Sequence, residues 1–454
     1  MRITAGKLAL ALVLLPMTLV AVGTGEAAAV NLPPGVVVVS PPATIASDCS
    51  VDVAKPLYDW LNTLPEGTSS APIEVLFASG GCYQVDGMLF LRGFTDFDFN
   101  GNGSTFRQAS ITPSDIKNDS PPNRPAYCGD STDFLTAGGT RPAHTDVMWF
   151  IEGGCDIVLE NMDIEGKNTS GIGSTIHLAD DAGIQLSGAQ RVLITNDTIH
   201  GVYGDFVTVT GLHEAPFGGV RFPSLDTTVQ QCSMKASGRQ GVTVVYGQRV
   251  AVTANTIAGN IPDSAMDFES DVLGGTEADI NVSDNTISGY KYLLSARTGA
   301  ALFDINVSNN NVGGIRMRMD PFTSANGHDV TFDQNTASAP SAWGKSSSII
   351  VGNMATVLFQ GNSVPMQVPT KTFVLIGRRH ASTDVAVQDN ILTPDTNFLP
   401  VPLFARQNVK VTECNNHEAN GTPLDNNAHP PNRIQCVSGM PVQPAPAALP
   451  NFIS

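Results

Sequence analysis

The sequence has little positive charge. Its 454 residues include 25 lysines and arginines against 42 aspartates and glutamates, and the formal net charge at pH 7 is −17. Nucleic acids and anionic membranes favour basic surfaces, so this balance argues against both as partners. It does not exclude an anionic sugar, because a local basic stripe can outweigh the overall sign.

Several motifs with well-defined chemistry are also missing. There is no CxxC pair, which argues against a thiolate zinc site or a redox centre. No HExxH or GxSxG occurs and the eight histidines are scattered, so no zinc-protease or α/β-hydrolase site is expected. After residue 22 no segment is apolar enough to span a membrane. Function must therefore be sought in the organisation of the chain.

The chain begins with the pattern of a secretory signal peptide. Arg2 and Lys7 precede an apolar run from Leu8 to Val22, and three alanines at 27–29 supply small residues for cleavage. At about 15 residues the run is short for a spanning helix, which needs roughly 20. We expect residues 1–29 to be removed and the mature protein to be secreted, without membrane insertion.

An exported chain permits disulfide bonds, and the sequence has seven cysteines. Six lie toward the two ends of the chain and one, Cys232, lies in the middle. The sequence does not fix the connectivity of the six. The pairs we expect are Cys414–Cys436, Cys49–Cys82 and Cys128–Cys155.

An internal repeat dominates the sequence and favours one domain over several. Its clearest copies are VLITNDTIHG from Val192, VAVTANTIAG from Val250, INVSDNTISG from Ile280 and INVSNNNVGG from Ile305. Fainter copies follow, with intervals of 23 to 35 residues. The alternation points Val and Ile inward and small or polar residues outward. Each copy therefore predicts one coil of a right-handed parallel β-helix, an all-β solenoid.

The recurrent Asn of the repeat predicts a ladder of stacked side-chain amides. Asn suits a left-handed turn conformation, and stacked amides can satisfy one another's hydrogen bonds. Cys232 and Cys414 stand in this column in place of Asn, so Cys232 is expected to be a buried free thiol. A second short strand is predicted in each coil, for example Met266–Glu269.

Both ends of the solenoid carry distinct signals. The segment from Asp52 to Leu64 is the one convincing amphipathic helix, and a solenoid needs capped ends. We expect this helix to cap the first coil. The β-helix is predicted over residues 30–436, and a Pro-rich tail over residues 437–454.

The segment VDGMLFLRGFTDFDFNGNGSTF, from Val85 to Phe106, follows the predicted cap and precedes the coils. With the Asn repeat, it resembles the pectate-lyase-like β-helix superfamily over most of the chain. That resemblance implies the fold, whereas the superfamily includes lyases, hydrolases, epimerases, fructan-cleaving enzymes and phage tailspikes. The Arg-x-Pro-x-x-Arg motif of pectate lyases and the Gly-His-Gly element of polygalacturonases are absent, so neither catalytic set can be carried over whole.

Outward side chains of neighbouring coils stack about 4.8 Å apart, and aligning the second strands predicts a site. Two columns result: Thr208–Thr243–Asp267–Ser295–Arg316 and Thr210–Val245–Glu269–Arg297–Arg318. Asp205 and the pair Arg239–Gln240 lie in Gly-flanked turns just before these strands. The candidate catalytic residues are Asp267, Glu269, Asp205 and Arg239, and the candidate substrate-binding residues are Gln240, Arg297 and Arg316.

The chemistry of this array has more than one interpretation. Asp267 and Glu269 point out from one strand and are suited to glycoside hydrolysis. The negative charge of one carboxyl would raise the pKa of the other, which would then act as the proton donor. Alternatively, Arg239 or Arg297 binds a uronate carboxylate for β-elimination, with Ca²⁺ at Asp205 and Asp267. The simplest alternative is an ion-pair ladder of Glu269, Arg297 and Arg318 with a purely structural role.

Two further residues are weaker candidates. Asp181, in the stretch LADDAGIQL, vaguely resembles the paired-Asp coil of polygalacturonases but is displaced by one residue. His200 follows a repeat and is interpreted as a turn residue or a substrate contact. The leading hypothesis is a secreted enzyme that cleaves or epimerises a polysaccharide. The alternatives are a non-catalytic β-helix that binds a cell-surface glycan or other surface partner, and a purely structural repeat protein.

Overall fold

The structure is a computed structural model. It describes residues 35–110, 147–168, 181–213, 220–259, 263–269, 276–296, 301–314, 316–319, 327–339, 347–352, 354–366, 372–376, 384–394, 400–405, 410–424 and 433–435. The predicted signal peptide and the Pro-rich tail lie outside these residues.

The chain winds through three long parallel sheets, one strand of each per coil. The first sheet has 14 strands: Val37–Val39, Ile73–Leu76, Thr95–Asn100, Cys155–Glu160, Gln190–Thr195, Ser224–Gln230, Gly247–Thr253, Thr276–Ser283, Ala301–Ser308, His328–Asp333, Thr356–Gln360, Asp384–Gln388, Lys410–Cys414 and Arg433–Gln435.

The second sheet consists of 12 short strands, because the chain turns soon after each. They are Asp48–Asp52, Cys82–Gln84, Thr105–Arg107, Asp163–Glu165, Thr198–His200, Ser233–Lys235, Thr256–Ala258, Thr286–Ser288, Asn311–Val312, Thr336–Ala337, Ser363–Met366 and Ile391–Pro394.

The third sheet has 11 strands and carries the predicted site on its outer face. They are Leu89–Arg92, Trp149–Glu152, Ile184–Ser187, Val207–Thr210, Val242–Val244, Ser264–Phe268, Tyr292–Ala296, Met317–Met319, Ser347–Val351, Thr372–Ile376 and Val401–Ala405. A small antiparallel ribbon joins Leu212–His213 to Val220–Phe222. All other named strand pairs are parallel, which confirms the predicted solenoid.

The interior is one continuous apolar core. The inward residues of each repeat, such as Val250, Val252 and Ile257, are buried in it together with their equivalents on neighbouring coils. This burial of apolar surface is the main stabilising term of the fold. The predicted alternation of Val and Ile is therefore confirmed.

The Asn ladder is present at the turn between the first and second sheets. Asn285 donates from Nδ2 to Oδ1 of Asn310 at 3.0 Å, and its backbone N–H bonds the same oxygen at 3.0 Å. The same pattern continues coil by coil through Asn255, Asn285, Asn310, Asn335, Asn362, Asn390 and Asn416. Buried amide groups are satisfied along the whole column.

Two details of the predicted ladder are wrong. The left-handed conformation belongs to the residue before each ladder Asn, such as Ala254 (φ 56°) and Asn309 (φ 56°), because that residue makes the turn while the Asn points inward. Asn416, and not Cys414, is the last ladder residue described. Cys414 pairs with Gln388 at the end of the preceding strand, two residues earlier in the repeat.

One predicted disulfide is formed within the described residues. Cys49 and Cys82 are bonded, with their Cα atoms 5.0 Å apart. Cys155 and Cys414 each take part in a disulfide bond. The partners predicted for them, Cys128 and Cys436 respectively, lie outside the described residues. The thiol of Cys232 is free and buried, as predicted, and burial raises its pKa to about 12.

The predicted amphipathic helix is present as α1, Ala54–Thr63. Leu57 and Leu61 are fully buried and belong to the main core, which accounts for the apolar face in the sequence. A helix end needs partners for its free N–H groups, and here the N–H of Ala54 bonds the carboxylate of Asp52. Among the described residues no helix is long and apolar enough to cross a membrane.

Candidate active site

The outer face of the third sheet presents the predicted column of polar side chains. The backbone register aligns Thr208 with Thr243, Thr243 with Asp267, and Asp267 with Ser295. The predicted column is therefore correct over four coils. The second column also holds as far as Glu269, since the N–H of Glu269 bonds the carbonyl of Val244.

The prediction for Arg316 in this column is wrong. Ser295 is aligned with Arg318, because Leu294 pairs with Met317, so the predicted register is shifted by two residues. Arg316 precedes the strand and is buried, with its guanidinium 4.7 Å from the ring centre of Tyr292. Arg297 lies outside the described residues, as does the side chain of Arg318.

Asp205 lies at the centre of a set of hydrogen-bond donors. Its Oδ1 accepts from the backbone N–H of Gln240 at 2.9 Å, and its Oδ2 accepts from the hydroxyl of Thr243 at 2.6 Å. The hydroxyl of Thr208 lies 3.4 Å from Oδ2, and Nη1 of Arg239 lies 3.8 Å from it. Every one of these groups favours the ionised carboxylate.

Burial has the opposite effect to these donors on the pKa of Asp205. The side chain of Asp205 is only 2% exposed, and this burial raises its pKa from 3.8 to about 6, even though Arg239 and Thr243 lower it. Asp205 is therefore protonated in mild acid and becomes an anion near neutral pH. A carboxyl that titrates there is suited to act as a base.

Asp267 is surrounded differently, although it lies in the same site. Its Oδ2 accepts from Nε2 of Gln240 at 2.7 Å, while its Oδ1 is buried and has no hydrogen-bond partner. Burial raises its pKa well above 3.8, and the charges of Glu269, Asp205 and Asp263 raise it further. An oxygen without a donor is where a protonated carboxyl carries its hydrogen. These surroundings favour the protonated form of Asp267 over its anion.

Arg239 and Glu269 form the part of the site that solvent reaches. Nη2 of Arg239 donates to Oε2 of Glu269 at 2.6 Å, and the two side chains are 25% and 36% exposed. Arg239 remains charged, since Asp205, Glu269 and Asp267 raise its pKa against the effect of burial. Glu269 therefore pairs with Arg239 from an earlier coil, whereas the simplest alternative expected it in a ladder with Arg297.

The remaining predicted residues fall in different places. Asp181 is buried one coil before Asp205, and its backbone carbonyl accepts from the N–H of Gly204. His200 lies on the second sheet, where its Nε2 is 3.0 Å from Oδ1 of Asp163. That carboxylate raises the pKa of His200. The structure thus brings Asp205, Arg239, Gln240, Asp267 and Glu269 together, with Asp181 beside them, and leaves His200 outside the group.

One acidic residue near the site was not predicted. Glu277 is fully buried in a strand of the first sheet, and neither carboxylate oxygen has a hydrogen-bond partner. Its pKa is raised well above 4.5 by burial and by the charges of Asp267 and Glu269. Ile280 points inward, so the alternation of side chains, counted back along the strand from it, predicts that Glu277 points outward. The left-handed residue Asp279 (φ 54°) reverses that phase and turns Glu277 inward.

The predicted Ca²⁺ ligands, Asp205 and Asp267, do not form part of a larger ligand set. In the part of the chain that the structure describes, no group of three or more His, Cys, Asp or Glu side chains is arranged to hold a metal ion. The donors on Asp205 are an amide, a hydroxyl and a guanidinium, which occupy the oxygens that a cation would need. A calcium role for these two residues stays a prediction.

No protein-family model and no curated protein matches the chain. Solved structures do resemble its fold. A DFA-IIIase from Arthrobacter chlorophenolicus A6, without its lid, matches with a TM-score of 0.55 and 10% identity, over 90% of this chain and 100% of that one. A family 28 exopolygalacturonase from Yersinia enterocolitica matches with a TM-score of 0.52 and 12% identity, over 89% and 79%.

A tailspike protein of the E. coli bacteriophage HK620 is also similar, with a TM-score of 0.52 and 13% identity, over 82% of this chain and 63% of the tailspike chain. With the three parallel sheets, these likenesses define the class. The chain has the right-handed parallel β-helix fold. Identities this low show the fold alone, and the chemistry has to be argued from the site.

Proposed function

We propose that the protein is a secreted glycoside hydrolase that cleaves a polysaccharide at the site around Asp267. The observation that carries this proposal is that two carboxyls of the site differ in their hydrogen-bond donors and in their pKa. Asp205 has donors on both oxygens and a pKa of about 6, whereas Asp267 has one unpartnered oxygen and a pKa raised well above 3.8. The surroundings of Asp205 thus favour an anion near neutral pH, whereas those of Asp267 favour the protonated acid.

This difference matches what hydrolysis of a glycosidic bond requires. A protonated carboxyl gives its hydrogen to the leaving oxygen, and an ionised carboxyl acts as base or nucleophile at the sugar carbon. Asp267 is assigned the first role and Asp205 the second. Arg239 holds Glu269 and favours the anion of Asp205. Because Asp267 is only 4% exposed, the substrate reaches it after neighbouring side chains move.

Secretion and the class of substrate are supported by separate observations. The first 29 residues have the composition of a signal peptide, and a disulfide between Cys49 and Cys82 suits an oxidising compartment. Among proteins of similar fold, one is a polygalacturonase and a DFA-IIIase has been solved in complex with GF2. A polysaccharide or a cell-surface glycan is therefore the proposed substrate.

The cap is a further part of the proposal. Leu57 and Leu61 of helix α1 are fully buried in the main apolar core, which supports this role. A solenoid needs a capped end to keep its core from water. We assign α1 the role of the N-terminal cap.

The test is to incubate the purified protein with a panel of polysaccharides and to follow new reducing ends. Asp267→Asn should lower kcat by about 10²–10⁴-fold, the usual contribution of a positioned general acid. Asp279→Asn is the matched control, since Asp279 lies on the next first-sheet strand of the chain, where its side chain is exposed. An absorbance signal from unsaturated uronates would indicate a lyase, and glycan binding without any cleavage would indicate a binding protein.

A further inference from the structure

The described site holds more negative than positive groups. Four carboxyls interact with the guanidinium of Arg239: Asp205, Asp263, Asp267 and Glu269. Lys291 supplies a second positive charge, and it acts on Asp263 at the edge of the group. Even with Asp267 protonated, the three remaining acids outnumber the two cations. Among these described groups, acids therefore outnumber cations, and a sugar carboxylate placed between them would meet mainly like charges.

Arg239 is already engaged by carboxylates. Nη2 donates to Glu269 at 2.6 Å and Nη1 lies 3.8 Å from Asp205. A sugar carboxylate could bind Arg239 only by displacing Glu269, and it would then lie among the remaining acids. Like charges placed together in a binding site are strongly unfavourable. Arg239 thus compensates the site's own acids and is not a receptor for a substrate anion.

The hydrogen-bonding character of the site supports the same conclusion. Oε1 of Gln240 is an acceptor without a partner, and Glu269 presents carboxylate oxygens to solvent. An ionised carboxylate only accepts hydrogen bonds, whereas a sugar hydroxyl also donates them. The site therefore offers acceptors to a ligand that brings donors.

We infer that the sugar unit bound at Asp205, Asp267 and Glu269 is uncharged, so that the substrate is a neutral polysaccharide and not a polyuronate. This inference rests on the proposed hydrolase function and narrows it. It replaces the interpretation in which Arg239 clamps a uronate.

The experiment compares polymers that differ only in charge. Polygalacturonate and alginate are each assayed beside their carboxyl-reduced forms, which keep the linkage and lose the charge. An inulin-type fructan, a glucan and a galactan complete the panel. We expect cleavage of neutral polymers, with kcat/KM at least about tenfold above that for any uronate polymer, as juxtaposed like charges imply. Asp267→Asn should abolish this cleavage.

A second variant tests the electrostatic cause. Glu269→Gln removes one negative charge and frees Arg239, so the ratio of kcat/KM for charged over reduced polymer should rise about fivefold or more. An unchanged ratio would contradict the inference. So would cleavage of polygalacturonate as fast as its reduced form, although the proposed hydrolase function would then stand. Cleavage of no polymer would overturn both the function and the inference.

Discussion

Single residues decide the protonation of this site, and Thr243 is the sharpest example. Its hydroxyl donates to Oδ2 of Asp205 at 2.6 Å and lowers the pKa of a carboxyl that burial raises to about 6. Thr243 comes from the next coil and has no charge of its own. A substitution of the same shape can therefore remove its hydrogen bond to Asp205 while it keeps the packing.

Replacing the hydroxyl of Thr243 with a methyl group should move the acidic limb of the pH–activity profile upward. Thr243→Val removes a hydrogen bond that stabilises the anion, so the pKa of Asp205 rises and kcat/KM falls off at a pH about one unit higher. Thr208→Val is the matched control, since its hydroxyl is farther from Asp205, at 3.4 Å. A limb that stays in place, or moves to lower pH, would remove Asp205 from the role of base.

Asp197 is a second residue whose charge matters. It occupies a ladder position in place of Asn, its Oδ1 accepts from the N–H of Met162 at 2.8 Å, and its Oδ2 has no partner. Burial raises its pKa well above 3.8. The folded protein thus holds a proton that the unfolded chain loses, and the stability this gives at low pH is lost as pH rises.

Asp197→Asn should therefore stabilise the protein in alkali and make little difference near pH 4. An amide supplies the donor without a proton, and the expected gain at pH 8 is about 1–3 kcal/mol. Urea unfolding at both pH values measures it. Asn255→Asp, the reverse change two ladder positions further on, after Cys232, should destabilise in alkali. A loss of stability in Asp197→Asn at pH 8 would refute the protonated state of Asp197.

How much of the site is predictable from sequence depends on the backbone between the residues. Period-2 alternation within the short strands points Asp267 outward, and the Gly-flanked turns just before those strands bring Asp205, Arg239 and Gln240 beside it. Arg316 was misplaced because nothing in the sequence fixes where the next strand begins after a loop. Alternation alone places Glu277 outward because it takes no account of the left-handed residue Asp279. The signal for that residue is its position in the repeat, which is also Asp at 96, 156, 226, 304 and 329.

At the scale of elements, the Asn ladder is the feature that joins the coils at one corner. Asn310 illustrates its density of contacts. Its Nδ2 donates to the carbonyl of Val282 and to Oδ1 of Asn335, while its own Oδ1 accepts twice from Asn285. The removal of one ladder residue leaves buried groups on both neighbours without partners.

Asn310→Ala should lower the free energy of unfolding by about 2–4 kcal/mol, because unsatisfied buried amides each carry a desolvation cost. Asn306→Ala provides the comparison. That amide is only partly buried and donates to Asn281 and Ser308 on the outer face of the first sheet, so a loss below about 1 kcal/mol is expected. Equal losses in the two variants would mean that the ladder adds little beyond any surface amide.

At the scale of the whole molecule, the sequence was sufficient to predict the solenoid. A repeated V-x-V-x-x-N-x-I pattern leaves few alternatives, since each coil buries its apolar side only against its neighbours. The loops between strands vary in length and carry no such pattern. For that reason the fold was predictable over nearly all the described residues, whereas the register between coils on the third sheet was only partly so.

The buried acids together give the protein a dependence of stability on pH. Burial and neighbouring acids raise the pKa of Asp98 to about 7, and the pKa values of Asp197, Asp267 and Glu277 are raised well above their ordinary values. In each case the folded state binds protons more tightly than the unfolded state. The stability gained in this way is fully present below about pH 4 and is lost as pH rises through each folded pKa.

The free energy of unfolding should therefore fall by a few kcal/mol, roughly 2–5, between pH 5 and pH 8. Asp98→Asn should reduce this slope between about pH 4 and pH 7, because it removes the group that titrates there. At or below about pH 4 the variant and the parent should be similar, since Asp98 is then protonated in both the folded and the unfolded states. Urea unfolding across this range measures both curves. A stability that rises toward pH 8 would show that these carboxyls are ionised and paired in the folded protein, and the assignment of Asp267 as the acid would fail with it.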